Sequence, residues 1–191
     1  SELLKYVKTH DLTVKENYEY VSKLVDIDNF IDYWIVETFF NNTDTGNIKF
    51  YRERKEGAKW RWILFDLDWA MWRSTYQWNM VEEFINPAGH GVGKDFDTTL
   101  ACALIKNNEF LDRFISRYAH YLKTVFQPER MIAILDKMAK SIESEIPRHV
   151  ERWGNPSSTD TWRRNIESLK QMLREKPELT KKHIIETFKL T

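Results

Sequence analysis

Apolar side chains at Phe30, Ile31, Trp34, Ile35 and Phe39 recur at helical spacing, and Tyr33, Val36 and Phe40 fill the opposite side. A helix that is apolar nearly all round belongs in the centre of a fold, so residues 27–40 are predicted as a buried helix. Asp26 is its expected N-cap, the carboxylate accepting from free N–H groups of the first turn. Ahead of it, residues 1–25 mix charge with scattered apolar positions and predict one or two short helices. Behind it, Asn41-Asn42-Thr43-Asp44-Thr45-Gly46-Asn47 is made of turn-forming residues. Residues 48–52 and 60–65 then read as two strands around a charged turn, with Trp60, Trp62 and Leu64 on one face. The second strand ends at Asp66-Leu67-Asp68. Residues 70–99 show no regular period. Beyond Leu100 the period is helical again: Phe110, Leu111, Phe114, Ile115, Tyr118, Leu122, Val125 and Phe126 form one stripe. Pro128 is the expected first residue of the next helix, lined by Met131, Ile134, Leu135, Met138 and Ile142. Pro147 is expected to end or kink that helix. Residues 154–158 read as a connection, Thr159 or Asp160 as the cap of a helix to about Lys176, and Pro177 as the opening of a last helix carrying Ile184, Ile185 and Phe188. These elements predict an α+β, mainly α fold, a helical bundle packed beside a small β-hairpin.

Composition narrows the class. The 191 residues suit one domain, and a chain of this size buries roughly 70% of its unfolded surface. With 8 Trp, 8 Tyr and 11 Phe, the chain is far from the composition of a disordered segment. The 29 basic and 29 acidic side chains cancel, which argues against a protein whose main task is gripping nucleic acid or an anionic membrane. No apolar run reaches the 18 or so residues of a membrane span. The single cysteine, Cys102, rules out an internal disulfide and a cysteine-based zinc site, and its apolar neighbours make it core filler. The neutral total hides an asymmetry. Residues 1–100 carry 12 Lys+Arg against 17 Asp+Glu, and residues 101–191 carry 17 against 12. The acidic half also holds most of the tryptophans, and the chemistry is expected there.

The hairpin supplies the geometric argument. Its strands lie about 5 Å apart, so the segment before the first strand must lie near the segment after the second. Asp44 and Asn47 are thereby brought to Asp66 and Asp68. Three carboxylates and an amide converging at one hairpin edge repel one another unless a cation sits among them. Mg²⁺ takes oxygen ligands of this kind, often one or two carboxylates plus substrate phosphates. On composition alone, a plain turn and a plain strand end explain the same residues. The apolar flank of Phe65, Trp69 and Trp72 weighs against that reading, because carboxylates beside it incur a desolvation cost; Trp69 and Trp72 are candidate walls of a site. Other motifs carry less. Gly89-His90-Gly91-Val92-Gly93-Lys94 has glycines but neither the spacing nor the strand-to-helix context of a phosphate loop. His10, His90, His120, His149 and His183 include no helical metal pair. Arg163-Arg164 and Lys181-Lys182 read as solvated helix faces.

Three pieces of the chain together carry a resemblance: Asp26-Ile27-Asp28-Asn29-Phe30-Ile31-Asp32-Tyr33-Trp34-Ile35-Val36, then Asn41 to Asn47, then Trp62-Ile63-Leu64-Phe65-Asp66-Leu67-Asp68-Trp69. In this order and spacing they resemble the CotH family of spore-coat-type protein kinases. The stretch from Asn107 to Tyr118 and Glu151-Arg152-Trp153 look like that family too, so the similarity runs from about residue 24 onward. The resemblance implies a protein-kinase-like C-lobe that transfers phosphate from ATP to Ser/Thr hydroxyls of a protein with Mg²⁺. It gives Asp44 the place of the catalytic-loop aspartate. Asn47 takes that of the metal-supporting, nucleotide-side amide, and Asp66 that of the metal-binding aspartate, with Asp68 beside it.

The pattern departs from ordinary kinases. Here the amide follows the aspartate by three positions rather than five, no His-Arg precedes it, and Asp-Leu-Asp replaces Asp-Phe-Gly. No glycine-rich strand loop and no phosphate-pairing lysine precede residue 26, so residues 1–191 are expected to be a single C-terminal lobe whose N-lobe lies outside the chain. By itself such a lobe is expected to bind ATP weakly and to be inactive. The chain opens on Ser1-Glu2, which reads as a boundary within a longer protein. Its localisation is therefore open, and the family points to bacterial, spore-coat or exported proteins. The competing classes are a non-catalytic pseudokinase or surface scaffold, and a metal-dependent hydrolase using the same carboxylates.

Overall fold

The computed structural model describes residues 2–44, 47–86 and 98–190. Among them the chain is mainly helical, with one two-stranded antiparallel sheet. The stretch Gly89 to Lys94 lies outside the described residues.

The early elements are α1 (Glu2–Thr9), α2 (Lys15–Leu24) and α3 (Ile27–Phe39). The start of α3 is where the sequence places it: Asp26 Oδ1 accepts from the Asn29 backbone N–H at 3.1 Å. Nine of its residues, from Ile27 to Phe39, are buried, including the polar Glu37 and Thr38. Around α3 the core is aromatic. Trp34 meets Phe84 edge-on at 4.6 Å between ring centroids, Phe39 stacks on Phe126 at 3.9 Å, and Phe30 takes Trp62 edge-on at 4.5 Å. Edge-to-face and offset pairs of this kind contribute beyond the area they bury.

The hairpin is β1 (Lys49–Tyr51) and β2 (Arg61–Ile63), with Phe50 opposite Trp62. It is shorter than its apolar run, and Phe50, Ile63 and Leu64 are exposed. Two devices lock it to the helices. Trp60 donates to the Leu24 carbonyl at 2.7 Å and accepts from the Asp26 N–H at 3.0 Å, bridging the α2–α3 junction. The Asn29 side chain then pairs with Trp62 in both directions, accepting from its N–H at 2.6 Å and donating to its carbonyl at 3.2 Å. A two-stranded ribbon is marginal alone, and these contacts fix where its far end, at Asp66, projects.

Residues 70–99 are not uniformly irregular. A short helix, α4 (Met80–Ile85), is capped by Asn79, whose side chain accepts from the Glu82 N–H at 3.2 Å. Six residues are too few to show a period, so the sequence hides it. Then follow α5 (Thr99–Leu104), α6 (Asn108–Lys123) and α7 (Pro128–Ile142). Cys102 on α5 donates its thiol to the Ile85 carbonyl at 3.1 Å, a packing role. Pro128 opens α7 as expected, but the apolar stripe of α7 is not core: Met131 is buried while Ile134, Met138 and Ile142 are half or more exposed. The helical path is interrupted just ahead of Pro147, as expected. A 3₁₀ turn at Glu143–Glu145 breaks the helix, and Pro147 sits in the first turn of α8 (Ile146–Trp153), where its missing N–H costs no bond.

The C-terminal helix also differs from expectation. Ser158, not Thr159 or Asp160, is its N-cap, and α9 runs unbroken over Thr159–Phe188 through Pro177. An internal proline costs about 3 kcal/mol. Here the buried face of Met172, Leu173, Lys176, Pro177, Thr180 and Ile184, packed against α4, α6 and α7, outweighs it.

Ion pairs join α3 to α6. Arg117 Nη2 donates to Asp28 Oδ1 at 2.6 Å and its Nη1 to Asp32 Oδ1 at 3.2 Å, while Arg113 reaches the same Asp28 oxygen at 2.8 Å. Burial pushes the Asp28 carboxyl up, but the two guanidiniums outweigh it and hold it below the ordinary range. Because the pairs are partly solvated, Arg117→Ala is expected to lower the unfolding free energy by about 1 kcal/mol, and by less at high salt. Urea midpoints at two salt concentrations check this.

Candidate functional site

The site forms where α3 and the hairpin both end. Leaving α3, Asn41 turns the chain with φ +48°, a left-handed conformation that asparagine tolerates better than most residues. Asn42 follows, buried, with its amide donating to Glu37 Oε2 at 2.9 Å and its Oδ1 accepting from the Asp44 N–H at 3.2 Å. Asp44 is therefore presented by a backbone tied to a buried helix. Burial pushes the Glu37 carboxyl up, and its hydrogen bonds from Asn42 and Tyr33 oppose that shift.

On the other side, β2 delivers Asp66, also left-handed at φ +59°. One side chain joins the two loops. Asn47 Nδ2 donates to Asp44 Oδ2 at 2.7 Å and to Asp66 Oδ2 at 2.8 Å. Asp68 completes the group, and one carboxylate oxygen from each of Asp44, Asp66 and Asp68 lies within 4.8 Å of the others. Residues nineteen or more positions apart meet at one edge of the hairpin, the juxtaposition the hairpin requires. Two further bonds tie the loops behind the carboxylates: the Met71 N–H to the Phe40 carbonyl at 2.8 Å, and Thr43 Oγ1 to the Trp69 carbonyl at 3.3 Å.

The electrostatics are those of crowded like charges. The Asp66 carboxyl is pushed above the ordinary carboxylate range, by local desolvation first, then by Asp68 and Asp44, while Lys49 pulls the other way. Lys49 is held close by, its ammonium 4.3 Å from the Phe65 ring centre. Asp66 and Asp68 face solvent, and Trp69 and Trp72 are each about half exposed, at 53% and 51%. The two indoles contact each other, with centroids 5.6 Å apart, and form an exposed rim rather than a dry wall.

The donor set fits a small hard cation. All its donors are oxygens, and an octahedral ion at about 2.1 Å needs neighbouring oxygens roughly 3–4 Å apart, close to the spread found here. Asp44, Asp66 and Asp68 each offer a carboxylate oxygen to it, whereas Asn47, expected as a ligand, turns its NH2 group rather than its oxygen toward Asp44 and Asp66 and would need its amide reversed to join them.

Residues behind the site escape sequence reasoning. Glu37 and Asn42 brace Asp44, and Lys176 from α9 reaches Asn41. The only signal for Lys176 is its position: with Met172, Leu173, Thr180 and Ile184 it falls on the one apolar stripe of its helix.

A family model described as CotH kinase protein matches residues 1–179 of the chain. No curated protein and no solved structure matches it.

Proposed function

Because the chain belongs to the CotH kinase family, we propose that its acidic cluster is a phosphoryl-transfer site, acting with ATP and Mg²⁺ on Ser/Thr hydroxyls of a protein. The observation that carries this is the Asn47 amide bonded at once to Asp44 and Asp66, which sets two loops of different elements in one register. In this reading residues 1–191 form the lobe that bears the catalytic and metal-binding loops, equivalent to a kinase C-lobe.

Asp44 orients the acceptor hydroxyl and takes its proton as the oxygen bonds to the γ-phosphorus and the bond to the β-phosphate oxygen breaks, releasing ADP. Asn47 keeps Asp44 and Asp66 at fixed separation. Asp66 and Asp68 would hold Mg²⁺, which supplies charge neutralisation for the phosphates, and Asn47 supports the metal by fixing Asp66. Little covalent work falls to the protein; positioning and electrostatics supply the rate. The exposed rim of Trp69 and Trp72 suits an open acceptor side, since a protein substrate must reach Asp44.

Binding is testable without turnover. Mn²⁺ or Mg²⁺ is expected to raise the unfolding temperature of the protein, by the equivalent of about 2.7 kcal/mol at one hundred times the dissociation constant. Asp68→Asn should weaken the effect, because it removes one ligand charge while keeping the side-chain shape. The same melting temperature at every ion concentration would remove the metal site from the reading.

A further inference from the structure

We infer that Lys176, 132 positions beyond Asp44 in the chain, is a positioning residue for the loop that carries Asp44 and Asn47. The inference rests on the catalytic reading of that loop.

The geometry is a latch. Lys176 is buried at 1% exposure on α9, and its Nζ donates to Asn41 Oδ1 at 2.7 Å and to the Tyr76 carbonyl at 2.8 Å. Asn41 is fully buried. Its own amide donates to the Thr75 carbonyl at 2.6 Å and the Trp78 carbonyl at 3.0 Å. The left-handed residue that starts the catalytic loop is thus gripped on its oxygen by α9 and on its nitrogen by the segment after the metal loop. Asn42, next in the chain, is gripped by Glu37 and in turn accepts the Asp44 N–H. A displacement at Asn41 must therefore move Asp44 or break a buried hydrogen bond.

A lysine here needs a reason. Burying an ammonium against two neutral oxygens is costly, and an apolar residue would suit the stripe on α9 better. What an apolar residue cannot do is satisfy Asn41 Oδ1 and the Tyr76 carbonyl. Burial pushes the Lys176 ammonium down to about 7. A neutral amine still carries two N–H donors for the two acceptors, so the latch closes in either protonation state.

The test uses Lys176→Met, which keeps length and removes the donors, and Asn41→Gly, which keeps the left-handed backbone and removes the side chain. Hydrogen exchange in the full chain is the first readout. Peptides spanning residues 40–48 are expected to exchange at least about tenfold faster in both variants, with α3 and α6 peptides unchanged. Unaltered exchange at 40–48 overturns the latch. Asn41→Gly carries the test if Lys176→Met does not fold. The second readout is phosphotransfer by the full-length protein: kcat is expected to fall roughly 10- to 100-fold with the KM for ATP unchanged. The two variants combined should do no more than either alone, because they open one latch. Faster loop exchange with unchanged kcat also overturns the positioning role. If the wild type transfers no phosphate, the catalytic reading fails instead, and the exchange data still decide whether Lys176 holds the loop.

Discussion

Asp66→Asn is expected to reduce phosphotransfer by about 10²–10³-fold while leaving the melting curve of the metal-free protein unchanged or shifted slightly upward. The rate loss follows from the role assigned to the residue: a charge fixed against the phosphate-bound cation is an interaction made mostly in the transition state, and losing one such group costs this much. The stability expectation comes from the site itself. Asp66 carries a raised pKa in the company of Asp68 and Asp44, so its charge is a burden in the ion-free fold. Asparagine is the right replacement, because residue 66 sits at φ +59°, where asparagine is tolerated and alanine is strained. The amide also keeps an oxygen able to accept from Asn47. Asp66→Ala would mix lost charge with backbone strain and could not separate chemistry from folding. Circular dichroism melts and single-turnover rates on the same preparation check both halves. A variant that is inactive and also poorly folded would contradict this account.

The second large effect concerns pH. Lys176 is held near 7 in the folded protein against about 10.5 in the unfolded chain. Between those values the unfolded state binds the extra proton, so unfolding is favoured by acid and stability rises with pH. Below about 7 both states are protonated and the burial penalty is constant; above 10.5 both are neutral and it is gone. The expected slope approaches 1.4 kcal/mol per pH unit between pH 7.5 and 9.5. The rise must then reverse. Tyr33 and Tyr118 are both pushed up by burial, Tyr33 also by Glu37. Unfolding lets them ionise near 10, and stability falls beyond that point. His183, lowered by its own burial and then by the Lys176 charge, acts in the acid range and leaves this window clear. Urea unfolding at pH 7, 8 and 9 with a constant m-value measures the slope. Lys176→Met should abolish it, and a flat wild-type profile would contradict the burial of a titrating lysine.

These two residues mark what a sequence discloses. Asp66 was legible because it depends on local rules: a buried apolar helix with an aspartate cap, a turn, and two strands whose pairing brings their outer ends together. Each step spans fewer than about thirty residues and has a recognisable period or turn chemistry. Lys176 was not legible. Its partner Asn41 lies 135 positions away, and its place on the apolar stripe of α9 marks it as buried without saying what it bonds. Pro177 misled for the same reason, since the preference of proline to break a helix is local and the packing that overrides it is not. In α7 the spacing misleads the other way: Ile134, Met138 and Ile142 have a core-like spacing, yet among the described residues no element covers them. The α4 helix was simply too short to leave a period.

The central claim is that Asp44 and its neighbours transfer phosphate from ATP to a protein hydroxyl. The most direct test follows the γ-phosphate of ATP with the full-length protein and a Ser/Thr-containing acceptor protein, with and without Mg²⁺, for wild type and Asp44→Asn. The account predicts phosphoserine or phosphothreonine formed only with Mg²⁺ by the wild type, and a loss of at least about 10²-fold in the variant. Transfer that survives Asp44→Asn, or phosphate released to water at the same rate with and without the acceptor, would contradict it.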